Sequence, residues 1–223
     1  TVEQIEALAL ILTDFYLRQG RVSRERAAAS WENVRTACEE NFNKTKWAEG
    51  NLLDAQLYRT VRTATRSFLT RRKPLFANRS EGGKIYDGHG DLRSSHIYYT
   101  GRNRIQIIYC IEFNPRLRHI DIASDLAFLA MDLDFRGAPE LGATLLEGYV
   151  RKTGDGQAYA LMPFYKCYRA MVRCKVNCIR MQEKDRPDND RIALQRRASR
   201  YLAFAHRYAE NLARPTVWVL GGL

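Results

Sequence analysis

The chain has 223 residues, 45% of them apolar and 11% aromatic, enough to fill a sizeable core, which excludes a disordered tail or a peptide-sized scaffold. Thirty-six lysines and arginines against 25 acids give a formal charge of +11, which disfavours polycationic ligands and favours anionic ones. The five cysteines are odd in number and sit mostly in apolar patterns rather than in a secreted disulfide framework; with no run of 18 apolar residues, the expected setting is a cytoplasm without a membrane span.

Apolar residues at Ile5, Leu8, Leu12, Phe15 and Tyr16 recur with helical spacing over Glu3 to Arg18, and Leu53, Leu57, Val61, Ala64 and Phe68 repeat it. Ser23 to Lys46 is helix-compatible, with Trp31, Val34 and Cys38 on one side. Pro74 and the loop "NRSEGGK" are expected to break the helical regime. "KIYDG", "HIYYT" and "RIQIIYCIEF" then read as strands, the last two joined through "GRN" as a hairpin. After Pro115 the pattern is helical again: Ile122, Leu126, Leu129, Ala130 and Leu133 line one stripe, Asp121 fits an N-cap, and Gly137 and Pro139 end the helix. Gln157 to Met181 carries Leu161, Met162, Tyr165, Tyr168, Val172, Val176 and Ile179 at core spacing and predicts a central helix. A last helix is expected over Asp190 to Ala213, followed by a strand in "RPTVWVLGGL". The opening at Thr1 and the Gly-Gly-Leu stop suggest a fragment. The fold class is α+β, predominantly helical.

A hairpin turning near Arg102 sets Glu112 opposite Leu92, close to Asp91 and within reach of His96. Two acids and an imidazole at one end of a small sheet can hold a hard divalent ion while one acid accepts a proton. A glutamate in an apolar strand is expensive to bury unpaired, so a metal, a nucleotide or a basic partner such as Arg116 or Arg118 is expected beside it. Kinase-type phosphoryl transfer places a His two residues before the catalytic Asp and a metal-binding residue five after it. His89, Asp91 and His96 keep those offsets, and a further metal-binding acid follows one hairpin later in that template, as Glu112 does here. The plain structural alternatives are a turn carboxylate at Asp91 and a sheet-edge packing residue at His96. Cys174 and Cys178 lie one helical turn apart without the further ligands zinc needs.

"DGHGDLRSSHI" resembles the HGDLHxxN catalytic loop of aminoglycoside phosphotransferases and related small-molecule kinases. "IEFNPRLRHIDIASDLAFLAMDLD" resembles the following segment in a branch that joins such a domain to a C-terminal P-loop ATPase or kinase domain. The resemblance implies the C-terminal lobe of a kinase-like fold over residues 1–213, with a small β-hairpin carrying the catalytic loop. "RPTVWVLGGL" is similar to the first strand of a truncated P-loop domain over 214–223, with Gly222 at the first Walker A position. It implies Asp91 as catalytic base, Glu112 as metal-binding acid, His96 at the second metal ligand, and ATP with Mg²⁺ or Mn²⁺ as cofactors. His89, Asp121 and Asp125 would be structural support. His96 replaces the usual Asn, Arg93 the usual His and Glu112 the commoner Asp, and neutral imidazole prefers softer metals than Mg²⁺. Nothing before Leu52 offers the strand lysine that grips phosphates, so the N-terminal lobe is expected to be absent and the fragment to bind ATP weakly alone. The favoured function is phosphoryl transfer to a small, neutral or anionic hydroxylated molecule. A degenerate kinase-like module binding nucleic acid or a regulatory partner is the alternative, disfavoured for nucleic acid because the basic residues are scattered. A metal-dependent phosphoesterase is the third reading, for which His119 and His206 add too few ligands.

Overall fold

The computed structural model of the protein describes residues 1–101 and 104–213. Helix α1 (Val2–Gln19) opens on a capping box in which the Thr1 side chain and the Gln4 side chain satisfy each other's backbone amines. A short α2 (Arg24–Ala28) and α3 (Ser30–Thr45) follow, and α4 (Ala55–Arg71) starts where the Asp54 carboxylate accepts from the Gln56 and Leu57 amides, both at 2.8 Å. Pro74 does not break the helical regime. It lies in the first turn of α5 (Lys73–Glu81), where its missing N–H would have had no partner in any case, so most of "NRSEGGK" is helical.

The β structure is two separate two-stranded sheets. Strand β1 (Ile85–Asp87) leads into the loop of interest, and β2 (Ile97–Gly101) pairs antiparallel with β3 (Arg104–Ile107) in the expected register, Ile97 opposite Ile107 and Tyr99 opposite Ile105. The hairpin's central turn residues lie outside the described residues, as do residues 214–223, where a terminal strand was expected. The strand expected to run on to Phe113 stops at Ile107. Strand β4 (His119–Asp121), in a stretch read as the approach to a helix, pairs instead with β1, Ile85 opposite Asp121.

Helix α6 (Ile122–Phe135) starts at Asp121, whose side chain accepts from Ala123 N at 2.8 Å. Every residue from 122 to 133 is buried, as in a helix at the centre of a core. Helix α7 (Pro139–Thr153), absent from the sequence expectation, covers α6 and crosses α1 so closely that a Cβ on Gly148 would come within 2.8 Å of the Ala9 Cβ. Helix α8 (Gln157–Met181) packs on α6 and pairs along its length with α9 (Asp188–Ala213). A buried network ties these layers together. Arg79 bridges Asp121 (2.5 and 2.7 Å) and Asp155 (2.6 and 3.0 Å), and Tyr149 donates to Asp155 at 2.7 Å. The molecule is therefore α+β and predominantly helical, and among its described residues no helix is long and apolar enough to cross a membrane.

Candidate functional site

Two acids on α6, Asp125 and Asp132, hold the chain that leaves β1, and a third, Asp121, caps the helix. Asp121, Asp125 and Asp132 are spaced by four and seven residues, so they share one side of the helix, and each is at most 4% exposed. Asp125, fully buried, accepts from His89 N at 2.6 Å, Gly90 N at 2.9 Å and the Tyr16 hydroxyl at 3.3 Å. Burial, followed by the adjacent Asp125 charge, pushes the Tyr16 hydroxyl well above its usual range, keeping it a donor. Arg169, itself buried, lies 3.9 Å from Asp125 and donates to Gly90 O at 2.9 Å and Ser124 O at 3.3 Å. Two turns along α6, Asp132 accepts from Ser94 N at 3.0 Å and from the Ser94 hydroxyl.

The loop can reach this close because of two glycines. Gly90 has φ +82°, and a Cβ there would sit 2.8 Å from Leu117 O; a Cβ on Gly88 would sit 2.7 Å from Asp125 Oδ2. Backbone anchoring on both sides fixes where the side chains of Asp91, Arg93 and His96 project.

Hydrogen bonds also settle the two imidazoles. His89 Nε2 lies 2.9 Å from Ile108 O and must donate, and its Nδ1 accepts from Asp91 N at 3.2 Å. His89 therefore braces the loop with both nitrogens occupied. His96 Nδ1 lies 2.9 Å from Asp91 O and donates, and its Nε2 accepts from Arg93 Nη2 at 2.8 Å. Burial, with help from the neighbouring Arg93 charge, lowers the His96 pKa and favours this neutral form.

Of Asp91, Arg93 and His96, Asp91 is the most open to solvent, its side chain 29% exposed. Both of its carboxylate oxygens accept from Arg93, through Nε and Nη2 at 2.9 Å each. Burial opposes the Arg93 charge, but Asp91 more than offsets it and the Arg93 pKa is raised.

Glu112 does not join this group. It lies in exposed coil beyond the end of β3, so the pairing that would set it against Leu92 is never made. The residue that meets His96 is Tyr109, whose ring centre lies 5.2 Å away and whose backbone has φ +64°. That left-handed step breaks the alternation an apolar strand needs. Arg118, a candidate partner for Glu112, pairs instead with Asp87.

Among the described residues no group of three or more His, Cys, Asp and Glu side chains could hold a metal ion. Mg²⁺ does not fit the arrangement on chemical grounds as well: His96 has no free nitrogen, Glu112 makes no hydrogen bond to the cluster among the described residues, and each Asp91 oxygen already accepts from Arg93. Cavities adjoin the loop rather than Asp91 itself. One of about 500 Å³ is walled by Leu12, Phe15, His89, Ile105 and Ile107, with the Asp87–Arg118 pair at its edge. Another, about 310 Å³, lies behind the loop between α3 and α8 and includes Asp121 and Arg169.

No protein-family profile matches the chain, and no solved structure matches it. It is 33% identical over 179 residues to "Uncharacterized protein Mb2027c" of Mycobacterium bovis. The same figures hold for "Uncharacterized protein MT2060" and "Uncharacterized protein Rv2004c" of Mycobacterium tuberculosis. The aligned region is 80% of this chain and 36% of each relative, so the chain spans about a third of the length of the curated relatives it matches.

Sequence reasoning missed Asp132, Tyr16 and Arg169. A signal existed for the first and last. Three acids at helical spacing in the apolar run "IDIASDLAFLAMDLD", and an arginine among core positions of α8, are both costly unless each has a partner.

Proposed function

We propose that the chain is the acceptor-side lobe of a kinase-like phosphotransferase, in which Asp91 accepts the proton of a small-molecule hydroxyl. The observation that carries this reading is the seating of the loop: Asp125 binds the amides of His89 and Gly90 and leaves Asp91 as the loop's partly exposed carboxylate. A base must be held within about 0.5 Å of its productive position, and a buried anchor on a core helix supplies that rigidity.

In the proposed reaction the acceptor oxygen forms a bond to the terminal phosphorus of a nucleoside triphosphate such as ATP. Its proton passes to Asp91, and the bridging P–O bond breaks with its electron pair leaving on the diphosphate. Because Mg²⁺ does not fit these residues, no step is assigned to it. Positive charge on this side of the reaction would come from Arg93, since arginine clamps serve a transferring phosphoryl group as metals do.

A second reading is favoured by one observation. Asp91 is tied to Arg93 on both oxygens, and Tyr109 rather than Glu112 stands beside His96. That is the arrangement of a degenerate module with binding but no transfer. Turnover of ATP by the complete protein against a panel of hydroxylated acceptors separates the two. Under the transferase reading Asp91→Asn lowers kcat by about 10²- to 10⁴-fold. Equal turnover in wild type and variant removes Asp91 from the chemistry. Oligonucleotide affinity falling steeply with salt would support nucleic-acid binding instead.

A further inference from the structure

Arg93 holds Asp91 by the same two-pronged geometry with which an arginine recognises a phosphate. Four of its five N–H groups are engaged: Nε and one Nη2 hydrogen on Asp91, the second Nη2 hydrogen on His96 Nε2 at 2.8 Å, and one Nη1 hydrogen on Ser95 Oγ at 3.2 Å. A guanidinium fork takes one lone pair from each carboxylate oxygen and covers that side of the group against a substrate hydroxyl. The resting carboxylate is therefore held and partly covered by its own arginine.

Freeing it requires no movement of the backbone. The loop is fixed through Asp125 and Asp132, neither of which uses Arg93, and His96 Nδ1 keeps its bond to Asp91 O whatever the arginine does. Only the Arg93 side chain must turn. The pair is partly open to water, with side-chain exposures of 17% for Arg93 and 29% for Asp91, so an incoming oxyanion can reach the fork. The formal charge of +11 draws anions toward the surface.

We infer that Arg93 is a latch on Asp91 that a phosphate monoester opens by taking the guanidinium for itself. The inference rests on Asp91 being the proton acceptor for its catalytic meaning. It makes the substrate class anionic: the phosphate belongs either to a phosphorylated acceptor or to the donor's terminal group. A neutral hydroxylated molecule alone leaves the latch shut. Arg93 thereby couples substrate binding to release of the base, and water arriving without an anion meets an occupied carboxylate.

The test is equilibrium binding, read by titration calorimetry on the complete chain without metal. Phenyl phosphate stands for the phosphorylated acceptor, ATP for the donor and glycerol for a neutral hydroxyl. Wild type is expected to bind at least one of the two phosphates and not glycerol. Asp91→Asn, which removes the competitor, is expected to bind that phosphate roughly fivefold tighter, the worth of a partly exposed ion pair. Arg93→Gln is expected to lose most of the affinity. The anchors on Asp125 and Asp132 use neither side chain, and an unchanged urea midpoint in both variants verifies that the fold is kept. Binding of both phosphates, or of either alone, supports the latch and tells which source is read. Equal affinity in wild type and Asp91→Asn, full affinity in Arg93→Gln, or no phosphate binding overturns it. Equal ATP turnover in wild type and Asp91→Asn, with this binding pattern intact, would remove phosphoryl transfer and leave an anion-binding latch.

Discussion

The chain entering the hairpin, Gly88 to Ser94, and the chain leaving it, Ile108 to Asn114, run beside each other and are held very differently. The first is bound to two buried carboxylates through the amides of His89, Gly90 and Ser94. The second is linked by Ile108 N to His96 O and by Ile111 N to His89 O, both at 3.0 Å, and it exposes Tyr109, Glu112 and Phe113. Side-chain type and spacing nominated residues in both segments. A carboxylate becomes part of a site, however, only where its backbone is fixed, and that depends on acids placed elsewhere, on α6. The entering segment is thus a built half-site, and the leaving segment is its exposed neighbour.

The most severe way to break the contrast is Asp125→Ala. It strips three donors of their acceptor and leaves Arg169 beside an empty position, at an expected loss of about 3–5 kcal/mol. Urea denaturation measures it. A loss below about 1 kcal/mol, the worth of a single ordinary hydrogen bond, would show the loop to be held by something other than this carboxylate.

Gly90→Ala should follow in size. It combines a left-handed backbone with a Cβ 2.8 Å from Leu117 O, and about 1–3 kcal/mol is expected. Gly154→Ala is the matched control: φ is +67° with open space around it, so it carries backbone strain alone and should cost about 1 kcal/mol. Equal losses at the two positions would mean that the close approach to Leu117 relaxes freely.

Acid titration probes the network that seats the start of α6. Burial alone would raise the Asp155 pKa, but Arg79 and Tyr149 outweigh it and hold the carboxyl below its usual value. A folded-state pKa below the unfolded one contributes stability that is fully present above about pH 3.9 and is lost as pH falls through the folded value. Unfolding midpoints for wild type should therefore decline across that acid range. Asp155→Asn should be less stable at neutral pH with a flatter acid limb, and parallel acid limbs would count against this linkage.

Much of the helical frame was legible because long apolar stripes leave little ambiguity. The helix expected over 157–181 spans Gln157–Met181, and Asp121 caps α6. The register of β2 and β3 was readable too, since Ile97, Ile105 and Ile107 alternate on one face. Strand β4 was not, because three residues carry no periodicity, and Pro74 read as a breaker although a first-turn proline is compatible with a helix. The error at "IIYCIEF" has a clearer cause. An apolar run of that length resembles a buried strand, but one residue in a left-handed conformation, Tyr109, ends the pairing and turns the remainder outward. The latch between Asp91 and Arg93 was hidden for another reason: two residues apart in sequence, they meet only because the loop is bent by Gly90 and fixed on Asp125.

The smallest effect is expected from Glu112, which the sequence nominates as the metal-binding acid. Glu112 is exposed, and among the described residues it makes no hydrogen bond or ion pair, so Glu112→Ala should leave stability within about 0.5 kcal/mol of wild type. It should also leave the imidazole resonances of His89 and His96 in place in an NMR spectrum, because no hydrogen bond or ion pair joins it to either ring. Arg93→Gln, by contrast, removes the donor to His96 Nε2 and should shift the His96 signals while sparing those of His89. A Glu112 variant that moved both histidines would bring the leaving segment into the site, and the contrast between the two segments would be lost.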